Sequence, residues 1–410
     1  MNHERLLERF LRYVRVDTTA KEGAKTYPSS PGQLELGQML VDELHAMGIA
    51  DAEQDDYGIV MATVPPTADH DVPTIAFNAH LDTSPETSGK DVQPQVIRRY
   101  QGGGIVLPGD ASKVITVEEN PQLEQLVGAT LITTDGTTLL GGDDKAGIAI
   151  IMELAQSLLE DRTLVHGPIR LMFTCDEEIG RGVDYVDLDR LGAHVCYTFD
   201  GGGANDIDVE TFSADAADVT IRGVNIHPSI AKGRMVNAMR AAGAFLDQLP
   251  RELAPETTDG RQGFIHPYGC TGGVAQVDLR IILRDFETAA LSRHADHLRA
   301  IAEEVESLYP GCSVTVRTRA QYRNLGDGLK KEPRAVEYAK AAHAALGRSP
   351  RLSIIRGGTD GSLLTEKGLP TPNLSSGQHN PHSPLEWACL DEMVAAAEVG
   401  VEICKQWAQS

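Results

Sequence analysis

The sequence predicts an α/β fold in which a larger domain with a mostly parallel sheet is interrupted by a smaller inserted α+β domain. Three observations carry that expectation. Strand and helix patterns alternate over the first half of the 410 residues, the pattern changes near residue 210, and strand–helix alternation resumes toward the C-terminus. Alternation of this kind implies a parallel sheet with helices on both faces. A chain of this length also exceeds what one core usually serves. The expected division is 1–210 and 323–410 for the larger domain, with 211–322 as the insert.

Each element has its own signal. Leu6, Leu7, Phe10, Leu11 and Val14 recur at helical spacing, as do Leu36, Leu40, Leu44 and Met47, with Gly48 as a stop. Apolar runs predict strands over 59–64, 130–134, 169–174 and 195–199, and the run that ends at His80 predicts another. A helix is expected over about 145–159. In the insert, strands are expected over 217–223, 275–285 and 313–319, and helices over 236–249 and 288–308. A helix after Leu325, a strand fragment at 354–355 and a last helix over 391–405 complete the larger domain.

Composition excludes some classes of function. The formal net charge is -22, which argues against nucleic acid or an anionic membrane as partner, since both require Lys and Arg. The first residues form an amphipathic helix rather than a signal peptide, and no apolar run is long enough to span a bilayer. The six cysteines are scattered without a C-x-x-C pair, as expected for reduced thiols in a cytoplasmic protein.

The chemistry concentrates at strand ends. His80 and Asp82 follow one predicted strand, Glu177 and Glu178 follow another, and Asp200 ends a third, while Asp143 and Asp144 stand between two glycines and a helix start. In an open α/β sheet, ligands gather where strands end at their carboxyl side. Carboxylates converging there repel one another unless a cation neutralises them. Taken singly, each group has a plainer explanation: a surface turn for His80 and Asp82, a helix N-cap for Asp143-Asp144, an acidic loop for 176–178. Their joint occurrence points to a metal site. By contrast, Gly102–Gly104 reads as a turn rather than a phosphate loop, and His294 and His297 read as a solvated helix face.

Several segments carry a resemblance. Ala-His-Leu-Asp-Thr-Ser-Pro (79–85), Thr-Thr-Asp-Gly-Thr-Thr-Leu-Leu-Gly-Gly-Asp-Asp-Lys-Ala-Gly (133–147), Asp-Glu-Glu-Ile-Gly (176–180), Tyr-Thr-Phe-Asp-Gly-Gly (197–202), Gly-Val-Asn-Ile-His-Pro (223–228) and Ile-Arg-Gly-Gly-Thr-Asp-Gly (355–361) resemble the M20 metallopeptidases, specifically their peptidase T branch of tripeptide aminopeptidases. The similarity runs over nearly the whole chain. It implies a zinc-peptidase-like catalytic domain carrying an inserted lid, and two divalent ions, zinc in the first place with cobalt or manganese as alternatives. Carried over by position, His80 and Asp200 would hold one ion, Glu178 and His382 the other, and Asp143 would bridge them. Asp82 would accept the second ring N–H of His80, and His227 would support the oxyanion after lid closure or from another subunit. Glu177 would be the general base: adjacent residues on an extended segment point in opposite directions, so Glu178 can ligate while Glu177 faces the water. Asn237 and Arg284 would be substrate contacts on the lid, and Arg356 one on the catalytic domain. Short peptides would be the substrates, and a homodimer is compatible with the resemblance.

The loop 377–387 departs from that branch, with Pro381 and Leu385 at non-matching positions and His379 as a rival ligand to His382. Asp at position 200 favours an exopeptidase that reads a free α-amino group. A dipeptidase or aminoacylase of the same fold is the alternative enzyme, and a peptide-binding protein without catalysis is a remote one.

Overall fold

In the computed structural model, which describes residues 1–409, the chain divides into two compact units. The first comprises Met1–Val209, Gly328–Ser353 and Thr359–Ser410, and the second Glu210–Asp327 with Ile354–Gly358.

The first unit is built on an eleven-stranded sheet. Its centre runs Ile169–Thr174, Ile75–His80, Val195–Gly202, Asn373–His379, and all three pairings among these strands are parallel. Ile75–His80 is buried at every position, as a strand covered on both faces must be. The strands added outside this centre are antiparallel: Val60–Val64 beside Ile169–Thr174, and Trp387–Cys389 then Leu131–Thr133 beyond Asn373–His379. The four parallel strands therefore bring His80, Thr174, Asp200 and His379 to the same end of the sheet.

Helices Gly142–Glu160 and Leu390–Trp407 pack against this sheet, and His3–Tyr13 packs on both. Two charged groups are buried in that helical layer. Glu153 is fully buried and accepts hydrogen bonds from Arg5 and from Arg9, itself only 4 % exposed. Such a pair costs desolvation, and here each carboxylate oxygen has more than one donor.

Between Gly141, which has a φ of 82°, and the regular helix, Asp143 and Asp144 keep non-helical backbone angles. The regular turns thus begin at about residue 145. The Asp144 side chain accepts the N–H of Gly147 at 3.1 Å and so caps the helix, which leaves Asp143 free of that task.

The second unit is a four-stranded antiparallel sheet in the order Phe264–Gly272, Gln276–Asp285, Ser213–Arg222, Ser313–Tyr322. Helices Ala238–Asp247 and Thr288–Leu308 cover one face, and Val219, Ile221, Leu279, Ile281 and Leu298 form its core. His294, expected on a solvated face, is 6 % exposed and paired with Asp285 at 3.1 Å. Its position three residues after Leu291 and four before Leu298 puts it on the buried stripe of the helix.

Candidate metal centre and active site

Five of the candidate side chains meet at the carboxyl end of the parallel strands. His80 Nε2 lies 2.9 Å from Asp143 Oδ1 and 3.7 Å from Asp200 Oδ1. His382 Nε2 lies 3.3 Å from Asp143 Oδ2 and 3.0 Å from Glu178 Oε2. Asp143 thus stands between the two imidazoles, one oxygen toward each. His80, Asp143 and Glu178 can surround a single ion, as can His80, Asp144 and Asp200. Asp144 is the member that sequence reasoning omitted. Its carboxylate also accepts the backbone N–H of His80 at 3.2 Å, so it holds the strand end as well as the helix start.

The electrostatics are those of a cation site. Burial, and then the charge of Asp143, pushes Glu178 up to about 8, and the same two causes push Asp200 up to about 7. Burial works to raise Asp143 too, but hydrogen bonds from His382 and His80 win and hold it below the usual carboxylate range. The same contacts raise His382 to about 11, through Asp143 first and Glu178 second. His80 is raised as well, its bonds to Asp143, Asp200 and Asp82 outweighing its burial. Glu178 Oε1 is buried and has no hydrogen-bond partner. An orphaned carboxylate oxygen among imidazole nitrogens and other carboxylates is the donor set that divalent ions of the zinc type take. The residues present therefore fit a metal.

Glu177 and Glu178 do not lie on the extended segment expected from their sequence. They open a short 3-10 turn, Glu177–Ile179, which follows Asp176 in a left-handed conformation with φ 60°. Asp176 is fully buried, and its carboxylate accepts from Ser29 N at 2.8 Å and Gln33 Nε2 at 2.7 Å, which holds a backbone that a non-glycine residue seldom adopts. Burial, followed by the charges of Asp200, Asp360 and Glu178, drives the Glu177 carboxyl well above its ordinary range, against a lowering by His80.

Asp82 has a second task besides the contact with His80 expected of it. Its carboxylate accepts the N–H of Glu177 at 3.0 Å and of Glu178 at 3.1 Å. The nearest acceptor to His80 Nδ1 is the Asp82 carbonyl, at 3.1 Å, with the carboxylate at 3.4 Å. Glu86, which carried no signal, lies 3.2 Å from His382 Nδ1. Glu386, another residue without a pattern of its own, accepts three backbone N–H groups around Asp143. His379, the rival ligand, is engaged elsewhere, bonded to Glu392 at 2.7 Å and stacked on Trp387.

The remaining candidates belong to the second unit. His227 is exposed, with Nδ1 2.7 Å from Ser229 Oγ. The Asn237 side chain caps helix Ala238–Asp247, and Arg284 Nη1 donates to Gln321 and two carbonyls. Arg356 groups with this unit rather than with the larger domain in which its place in the sequence put it. Its guanidinium donates to Thr258, Gly260 and Gln262, because Ile354–Gly358 pack with Glu210–Asp327.

Comparison with known proteins agrees with the segments quoted above. The family model described as peptidase family M20/M25/M40 matches residues 133–406. A peptidase T of Geobacillus thermodenitrificans is 44% identical over 406 residues, covering 99% of both chains. Among solved structures, an aminopeptidase PepT from Bacillus cereus has a TM-score of 0.78 at 24% identity, covering 100% of this chain and 99% of its own. A tripeptidase from Staphylococcus aureus has the same score at 23% identity, with both chains covered in full. The two structures establish the shared fold, and the family model and the sequence relative establish descent: the chain is a member of peptidase family M20/M25/M40.

Proposed function

We propose that the chain is a two-metal aminopeptidase that removes the N-terminal residue from short peptides, tripeptides by preference. The observation that carries this reading is the convergence of His80, Asp143, Glu178 and His382, with Asp200, around one point at the end of the parallel strands. Relatives named peptidase T, full-length and 44% identical, support the substrate class.

His80 and Asp200 would hold one ion, Glu178 and His382 the other, and Asp143 both. Zinc suits the mixed nitrogen and oxygen donors, and cobalt or manganese can take the same set. Two such ions would supply an acidified water and polarisation of the scissile carbonyl. Glu177 takes a proton from the attacking water and delivers it to the amine nitrogen as the C–N bond breaks. Asp82 fixes the backbone of the base and of the adjacent ligand together. On the second unit, His227 is assigned to the developing oxyanion, and Asn237, Arg284 and Arg356 to substrate contacts. Asp200, in place of Glu, supports recognition of a free α-amino group.

The six cysteines are all unpaired thiols, four of them buried, which supports a cytoplasmic enzyme. Among the described residues no helix is long and apolar enough to cross a membrane. A homodimer is part of the proposal on the strength of the family resemblance alone.

Di-, tri- and tetrapeptides, free and N-acetylated, assayed side by side with zinc, cobalt and manganese test the reading. Free tripeptides are expected to give the highest kcat/KM. A preference for acetylated substrates would move the chain to the deacylases, and no hydrolysis with any metal would end the enzyme reading.

A further inference from the structure

The loop that carries His382 contains a single acid, and it is buried. Glu386 is 1 % exposed, and both its oxygens are spent on backbone N–H groups of one turn: Oε2 accepts from Leu140 at 2.7 Å and Gly141 at 2.8 Å, and Oε1 from Asp143 at 3.1 Å. Three amides converging on one anion form a nest, here at the N-terminal end of helix Gly142–Glu160, where the backbone dipoles also favour negative charge. These contacts, with the charge of Lys145 nearby, offset the burial of the carboxylate, which pushes it up to about 7.

The turn is shaped to admit this carboxylate. Gly141 has a φ of 82°, open only to glycine at low cost, and a Cβ on Gly142 would lie 3.1 Å from Glu386 Oε1. The loop is fastened on its other side as well. Asn380 donates to Asn120 at 2.8 Å and Trp387 Nε1 reaches the same oxygen at 3.3 Å, while Thr87 donates to the His382 carbonyl at 2.6 Å.

We propose that Glu386 is a positioning residue that ties the Asp143 turn to the His382 loop, so that the two ligands keep their mutual geometry before any ion arrives. The proposal rests on the two-metal reading given above. His382 itself has φ 63°, a conformation that a non-glycine residue holds only when its surroundings enforce it; Thr87 holds its carbonyl, and Glu386 anchors the same loop to the Asp143 turn four residues on. Without it, the His382 loop would keep its bonds to Asn120 and Thr87, but the Asp143 turn would lose the acceptor that ties its backbone to that loop.

The test uses the full chain with Glu386→Gln, which keeps the shape but presents an NH2 group where an acceptor is needed. Three quantities are read: affinity for zinc by competition with a chelator, kcat and KM on a free tripeptide at limiting and saturating zinc, and hydrogen exchange over 138–145 in the metal-free protein. The expected result is a 10–100-fold loss of zinc affinity, the range typical of groups that orient metal ligands. Added zinc should restore kcat with KM little changed, and exchange over the turn should accelerate without metal. Wild-type affinity with wild-type exchange would overturn the proposal, as would lost activity that zinc cannot restore. If the glutamine variant does not fold, Gly142→Ala takes its place, since its methyl group would lie 3.1 Å from Oε1 and push the carboxylate by a few tenths of an ångström without removing it; shifts in the same direction, smaller in size, are expected. Failure of the wild-type chain to bind zinc or cleave peptides would instead refute the two-metal reading, so the two failures are distinguishable.

Discussion

The Asp82 carboxylate accepts a hydrogen bond from the backbone N–H of Glu177 at 3.0 Å, and with its other oxygen one from Glu178 at 3.1 Å. One fully buried side chain thereby sets the direction in which two neighbouring acids leave the main chain. Asp82→Asn replaces one acceptor by a donor that faces an N–H. Turnover of a free tripeptide should fall about 10–100-fold. Wild-type turnover in a folded Asp82→Asn protein would remove this role.

The two adjacent acids should separate cleanly in mutation. Glu177→Gln should lower kcat by at least roughly 10²–10⁴-fold with metal content preserved, as for loss of a general base. Glu178→Gln should lose metal, because Glu178 Oε2 contacts His382 and the buried Oε1 has no hydrogen-bond partner of its own. Elemental analysis of both variants decides the matter. Metal loss in Glu177→Gln alone would mean that the roles are exchanged.

Dialysis against a chelator should abolish hydrolysis, and zinc, cobalt or manganese should restore it. An ion held at 100-fold its dissociation constant adds about 2.7 kcal/mol to the folded state. The chelated protein should accordingly melt on the order of 5 °C lower. An unchanged melting temperature and unchanged activity would count against a resident metal.

His343 gives a pH dependence outside the metal cluster. It is buried, its Nδ1 has no partner, and burial together with the nearby Arg348 charge lowers it to about 4. Between that value and the ordinary 6.5, the unfolded chain binds a proton that the folded chain refuses. The contribution to stability is therefore complete above about pH 6.5 and is lost as the pH falls toward 4, by up to roughly 3 kcal/mol. Urea denaturation from pH 7 to 4 should show wild type losing stability faster than His343→Leu. Parallel curves would show that the imidazole does not titrate as stated.

Glu153→Ala should be among the more damaging substitutions far from the cluster. It leaves Arg9 buried with Glu43 as its remaining carboxylate, and removes two bonds from Arg5. Breaking one side of a buried pair costs about 3–5 kcal/mol. Urea denaturation of the metal-loaded protein measures it, and a loss below about 1 kcal/mol would mean that water replaces the carboxylate.

The parallel core and the cluster were legible because both are written as local patterns. Apolar runs that end in His or Asp identify a strand and its ligand in one stretch of sequence, as at His80 and Asp200. The adjacent acids 143 and 144 were legible only as a pair: one caps the helix and the other faces the imidazoles, and which does which depends on backbone angles that the residue types do not encode. Glu177 and Glu178 misled for the same reason, since the left-handed Asp176 that turns the chain is held by Ser29 and Gln33 from far along the sequence. Glu386 and Glu86 are single acids without periodicity, and their roles exist only through contacts 243 or more residues away. His294 shows the opposite failure, a polar residue on a buried stripe whose Asp285 partner makes burial tolerable. Arg356 left its expected domain because five residues, Ile354–Gly358, cross back to the second unit, a departure too short to alter composition or pattern.

Trp387 lies directly after Glu386 and is stacked on the His379 ring, with centroids 3.8 Å apart and planes 8° from parallel. The only other tryptophan, Trp407, is at the end of the last helix beside Tyr197. An indole in face-to-face contact with imidazole is a sensitive emitter, because small changes in stacking alter quenching. With Trp407→Phe, the loop of His382 would carry the sole indole, which can be excited apart from the tyrosines, a built-in optical gauge of that loop's order that needs neither label nor substrate.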